Sequence, residues 1–169
     1  RRLGLFCLPA DTRYEQRQAS AGRIAQCIAA MALARTGNYM AFFPSYAYLQ
    51  LVLEEFQKGW PELAVQVQQP GLDDEARAAF LAAFSEDPAE TLVGFCVMGG
   101  VFGEGVDLAG SRLIGAAIVG VGLPQVNARQ QALRDYYEEK NGQGFAYAYQ
   151  YPGWNKVLQA AGRVIRTET

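Results

Sequence analysis

The residues best suited to chemistry lie near the C-terminal end, where Gln159, Gly162, Arg163 and Arg166 stand close together. On a helix turning about 100° per residue, Arg163 and Arg166 project in one direction, with Gln159 a turn earlier on the same line. Guanidinium groups hold phosphate oxygens through paired N–H bonds, where lysine offers only a point charge. Gly162 costs a helix about 1 kcal/mol relative to alanine, which points to close approach by another backbone or a ligand. The helix period divides this segment into two faces. Trp154, Val157, Leu158, Ala161, Val164 and Ile165 are expected to face inward, and Asn155, Lys156, Gln159, Arg163 and Arg166 outward. A solvated basic face of an ordinary amphipathic helix satisfies the same spacing.

Positioning such a helix requires a framework, and the punctuation by Gly, Pro and Asn supplies one. Residues 5–8 read as a short strand. Thr12 and Glu15 have capping-box spacing, and a helix to about Arg35 places Ile24, Cys27, Ile28 and Met31 on one stripe. Residues 39–43 read as a buried strand, Ser45 as an N-cap, and Tyr46, Leu49, Leu53 and Phe56 as the inner stripe of a helix ending at Gly59. Residues 64–67 form a further strand. Asp73, Asp74 and Glu75 then open a helix whose dipole favours them, with Ala76, Ala79, Phe80 and Ala83 inward. Strands follow at 92–97 and 113–121, an amphipathic helix at 128–140, a strand at 145–149, and a last helix from Trp154. The alternating aromatics Tyr147, Tyr149 and Tyr151, with Trp154, read as core, a base-stacking platform being the other use of such a row. Strands alternating with helices imply an α/β fold with a parallel sheet covered on both faces.

Composition bounds the chemistry. The 169 residues contain 50% hydrophobic and 19% charged residues and no histidine. That length suits one domain, able to bury about 70% of the surface its unfolded chain exposes. Without histidine the chain holds no Ser/His or Cys/His relay and no zinc site of the Cys/His kind. The 15 Lys+Arg against 17 Asp+Glu leave a net charge of -2, which argues against gripping duplex DNA by bulk charge. The charge is uneven, however: +4 over residues 1–37, -9 over 38–109 and +3 over 110–169. Cys7, Cys27 and Cys96 are too far apart for a C-x-x-C site and read as reduced thiols in a cytoplasmic protein. The longest uncharged apolar stretch, 113–124, is about half a membrane span and is broken by three glycines, so no membrane partner is expected. The first residues do not read as a signal peptide.

The string Gln159-Ala160-Ala161-Gly162-Arg163-Val164-Ile165-Arg166 resembles helicase motif VI, in its Q-x-x-G-R-x-x-R form, of the superfamily 2 DNA helicases related to XPD and DinG. Met40-Ala41-Phe42-Phe43-Pro44-Ser45-Tyr46 is similar to motif IV of that family. Gly100-Val101-Phe102-Gly103-Glu104-Gly105-Val106-Asp107-Leu108 is similar to its motif V, with Gly103 where relatives often carry serine. Thr12-Arg13-Tyr14 resembles the family's approach to its first helix, so the resemblance covers nearly the whole chain.

The resemblance implies a RecA-like three-layer α/β/α domain with a mostly parallel sheet over residues 1–169, as the second motor domain of a larger ATP-dependent DNA helicase. Arg163, Arg166 and Gln159 are then catalytic. The arginines stabilise charge on the γ-phosphate, and Gln159 bridges a phosphate, the attacking water or an arginine. Gly105, Glu104 and Asp107 fall to the nucleotide, the two acids holding either the arginines or a ribose hydroxyl. Ser45, Tyr46 and Gly100 fall to single-stranded DNA. Ser45 serves equally as a helix cap, Tyr46 stacks or packs, and the glycine run also fits a tight turn. ATP and Mg²⁺ would be held mainly by the first motor domain, since the G-x-x-x-x-G-K-[ST] loop and the D-E-x-H box are not in this sequence. Any iron–sulfur cluster would lie in that other half, no metal ligands being expected here. The expected partners are the first RecA-like domain and single-stranded DNA, the setting DNA repair, and the chain alone inactive. The alternatives are a non-motor α/β nucleotide- or anion-binding module and a helicase-derived nuclease or scaffold component.

Overall fold

In the computed structural model, residues 4, 8–99, 102, 108 and 110–165 are described, without the side chain of Ile165. The described strands are β1 (Asn38–Phe43), β2 (Ala64–Val67), β3 (Leu92–Val97) and β4 (Gly115–Ile118). They form one parallel sheet in the order β2-β3-β1-β4, with Tyr39 paired to Val93 on one side and to Gly115 on the other. The helices are α1 (Arg17–Leu33), α2 (Tyr46–Gly59), α3 (Asp74–Ala82), α4 (Ala128–Asn141) and α5 (Tyr151–Ile165).

Alternation along the strands sorts side chains to two cores. Tyr39, Ala41 and Phe43 of β1 and Val93 and Phe95 of β3 join Ile24, Ile28, Leu49 and Phe56 of α1 and α2. Met40, Phe42 and Cys96 join Phe80, Phe84 and Ala160, the last from α5. Both faces of the sheet are therefore covered, which is why its strands carry near-continuous apolar runs. Burial pushes the Cys96 thiol far above its usual range.

Side-chain amides and guanidiniums complete the sheet's ends. Gln68, just past β2 and buried, accepts from the Val97 amide at 2.8 Å through Oε1 and donates to the Tyr46 hydroxyl at 3.0 Å through Nε2. At the opposite edge Asn38 donates to the Ser85 and Arg112 carbonyls. Arg112 in turn donates to the Leu81 and Phe84 carbonyls, satisfying the end of α3.

Several expectations are corrected. Thr12 is no cap: a 3₁₀ turn at Tyr14–Gln16 precedes α1, with Arg13 at its N-cap and no side-chain hydrogen bond. α1 ends at Leu33 rather than Arg35, and β4 is shorter than 113–121. In α3 and the two residues after it, Ala79 and Ala83 face outward while Phe80 and Phe84 are buried. α4 spans the expected residues yet buries none of them. Residues 145–149 are helical instead of extended, forming a π-helical turn at Ala146–Gln150 that runs directly into α5. The alternation of aromatics mimicked a strand, but contacts across helices decide the matter: Tyr147 stacks on Tyr137 of α4 at 4.1 Å and meets Tyr151 edge-on at 5.1 Å. Of the expected strand at 5–8, residues 5–7 lie outside the described residues, as does Cys7.

The turn joining α4 to this segment leaves little room. Gly142 takes φ 69° to stop α4. At Gly144 an added Cβ would lie 2.3 Å from the Arg134 carbonyl oxygen. Gly144→Ala should therefore force the backbones apart and cost about 1–3 kcal/mol, read as a lower urea midpoint with an unchanged slope.

Candidate nucleotide and nucleic-acid interface

In parallel α/β sheets ligands gather beyond the carboxyl ends of the strands. Here that edge is built from the exits of β1, β3 and β4. β1 ends in Pro44 and Ser45, and the extended backbone of Ser45 makes it the N-cap of α2, its Oγ accepting from the Tyr48 amide at 3.4 Å. The same oxygen accepts from Arg17 Nη1 at 3.3 Å. Arg17 Nε donates to the Thr12 carbonyl at 3.4 Å, and its guanidinium lies 4.9 Å from the Tyr48 ring centre. Thr12 itself packs on the exit of β4, where Gly120 has φ 69° and an added Cβ would meet Thr12 Oγ1 at 2.7 Å. The segment from Thr12 to Arg17 therefore ties the ends of β1 and β4 together. At its start, the Arg13 guanidinium holds the Asp11 carboxyl at a pKa of about 2 through their side-chain hydrogen bonds.

Tyr46 is half-buried, its hydroxyl accepting from Gln68 and donating to the Gln69 carbonyl at 3.4 Å. Burial raises its pKa. Of the two uses expected for it, the hydroxyl contacts favour packing, anchoring the start of α2 to the end of β2.

The other wall of the edge is α5. Lys156 lays its aliphatic stem across the glycines that follow β3 and β4: an added Cβ would come within 3.0 Å of Lys156 Cε at Gly99 and 3.2 Å of its Cδ at Gly122. The expected division of this helix is rotated. Trp154 and Leu158 are 49% and 64% exposed, whereas Gly153, Ala160 and Arg163 are buried and Val157 and Val164 pack on the core. The reason lies at Gly153, where a Cβ would strike Val121 at 2.7 Å; close approach to that loop turns α5 about its axis. Arg163, expected on the solvated face, is 8% exposed with its Nε shielded from solvent, while Gln159 is exposed. Around Gly162 no group of the described structure lies within 4 Å of an added Cβ, so the close approach expected there is not made by these residues.

Arg166, Gly100, Glu104, Gly105 and Asp107 lie outside the described residues. The structure thus brings Ser45 together with Arg17 and Thr12 on one side, and Lys156 with Gly99 and Gly122 on the other. Sequence reading missed Arg17 and Lys156 as members of this edge. Lys156 carried a signal, standing one turn before Gln159, but Arg17 carried none, since its partner is 28 positions away. An open cavity of about 430 Å³ lies elsewhere, at the amino ends of β1 and β4 beside Glu86 and Asp87. Among the described residues no three His, Cys, Asp or Glu side chains gather as a metal site, and no helix is long and apolar enough to cross a membrane.

The four-stranded parallel sheet covered on both faces is a RecA-like α/β architecture. Residues 28–169 match the helicase C-terminal domain family, and the chain belongs to that family. Its fold is similar to a solved structure described as XPD apo, with a TM-score of 0.71 at 20% identity over 91% of this chain. A second, described as an XPD helicase, gives 0.70 at 19% identity over 92%. The Xpd4 structure from S. tokodaii gives 0.66 at 12% over 94%. The chain spans 31%, 27% and 30% of those three chains.

Proposed function

We propose that this chain is the second motor domain of an ATP-dependent DNA helicase, coupling ATP hydrolysis to movement along single-stranded DNA. The observation that carries the reading is the pairing on α5 of an exposed Gln159 with an enclosed Arg163, on a helix whose preceding turn closes over the exits of β3 and β4. A guanidinium held largely out of water acts on an approaching anion more strongly than one in solvent. Arg163 and Arg166 would be supplied to the γ-phosphate of ATP held by the first motor domain of the same polypeptide, with Gln159 ordering the water or the neighbouring arginine. Gly105, Glu104 and Asp107 would contact the nucleotide, and Ser45 and Gly100 the DNA backbone.

Mg²⁺, which neutralises phosphate charge when bound, belongs in this reading to the first motor domain, as does any iron–sulfur cluster. The residues of this chain bind, orient and exclude water. Closing of the two domains on ATP and their release after hydrolysis would alternate the grip on the strand; alone, the chain would be inactive. Separation of a forked duplex by the intact protein tests the proposal. Strand separation that requires both ATP and a single-stranded arm is expected. ATP hydrolysis that proceeds with no separation of any tailed duplex would overturn it.

A further inference from the structure

The Ser45 hydroxyl oxygen has two lone pairs, and both are engaged: it accepts from the Tyr48 amide at 3.4 Å and from Arg17 Nη1 at 3.3 Å. What remains to Ser45 is its own O–H, which is thereby left to donate. A cap serine without the arginine keeps a lone pair free and can turn its proton either way. With Arg17 in place the hydroxyl becomes a directed donor, matched to an acceptor with no protons of its own.

Arg17 points to the same kind of ligand. Its two hydrogen bonds, to Ser45 and to the Thr12 carbonyl, use two of five N–H donors. Among the described residues it forms no ion pair, the nearby Asp11 carboxylate being held by Arg13. Contacts with the rings of Tyr48 at 4.9 Å and Tyr14 at 5.4 Å fix its plane without neutralising it. A half-buried cation with no ion-pair partner among the described residues thus sits beside a hydroxyl whose remaining hydrogen-bonding function there is donation.

We infer that Arg17 and Ser45 form a clasp for one backbone phosphate of the single strand, with Arg17 both positioning the Ser45 proton and contacting the phosphate oxygen. The inference rests on the DNA reading of this edge and adds to it a residue from the first helix. It makes the Ser45 contact depend on Arg17, so the two side chains must act as a unit.

Fluorescence anisotropy of an oligo-dT strand with the intact helicase, titrated over a salt series, tests this. Arg17→Gln and Ser45→Ala should each weaken binding about ten-fold, and the double variant should cost clearly less than the product of the two. Arg17→Gln should also flatten the log–log salt dependence by about 0.7, the share of one phosphate on a single strand, while Arg17→Lys and Ser45→Ala keep the wild-type slope. A purely structural arginine gives a different pattern: a lowered melting temperature, equal losses for Lys and Gln, and an unchanged slope in both; that result overturns the clasp. If Ser45→Ala weakens binding and Arg17→Gln does not, Arg17 is no contact while the DNA reading of the edge stands. If neither substitution affects binding, both fail. A change in the KM for ATP with DNA affinity intact would assign the pair to the nucleotide and likewise overturn the inference.

Discussion

Arg163→Ala in the intact helicase is expected to lower single-strand-stimulated ATP turnover by about 10³-fold or more, the range in which arginines supplied from a facing domain act. Arg163→Lys should recover little of this, because a lysine ammonium cannot reproduce the planar fork that meets two phosphate oxygens at once. Arg163 is 8% exposed, so a packing role for its side chain is the competing explanation of any loss. The measurement must therefore separate kcat from KM and be paired with a melting curve. A loss confined to kcat in a protein that melts normally is the expected signature of an interaction made only in the transition state. Equal loss in KM and melting temperature would reduce Arg163 to a packing residue.

The largest stability effect is expected at Phe95. Its side chain is fully buried at the middle of β3, stacked on Phe43 of β1 with ring centres 5.7 Å apart and the planes 8° from parallel. It also meets Phe56 of α2 edge-on at 5.3 Å. Sheet and covering helix are thus joined through one ring. Phe95→Ala should cost about 3–5 kcal/mol, a large part of the about 5–15 kcal/mol that holds a domain together. Leu158→Ala is the matched control: with its side chain 64% exposed, truncation should stay within about 0.5 kcal/mol. Urea unfolding followed by circular dichroism reads both.

Much of the framework was legible because short-range patterns and the tertiary fold agree. Residues 39–43 form an unbroken apolar run that only a strand buried on both faces can use, and Pro44-Ser45 then offers an exit and a cap in sequence. Asp73 caps α3 and Asn127 caps α4 by the same local rule, their side chains accepting from the Ala76 and Gln130 amides. Failures occurred where a local pattern admits two geometries. The alternating aromatics from Phe145 to Tyr151 satisfy a strand as well as a π-helical turn, and only Tyr137 on α4 selects between them. α5 shows a subtler limit. The sequence sets its helical period, but its rotation depends on the contact of Gly153 with Val121 and Leu123, which turns Arg163 from the solvated face to a buried position. Arg17 was invisible for a related reason: α1 begins five residues later than Thr12, and the position that faces Ser45 follows from that start.

A chain that is one half of an ATPase, as proposed, should not hold nucleotide alone, and equilibrium binding of Mg²⁺–ATP to the isolated 169-residue chain reads this. With circular dichroism confirming a folded sample, no saturable binding up to millimolar nucleotide and no hydrolysis are expected, because the proposed function assigns the phosphate-cradling loop and the metal-binding acids to a facing domain. Tight, saturable binding of ATP by the isolated chain would contradict it and favour a self-sufficient nucleotide-binding module.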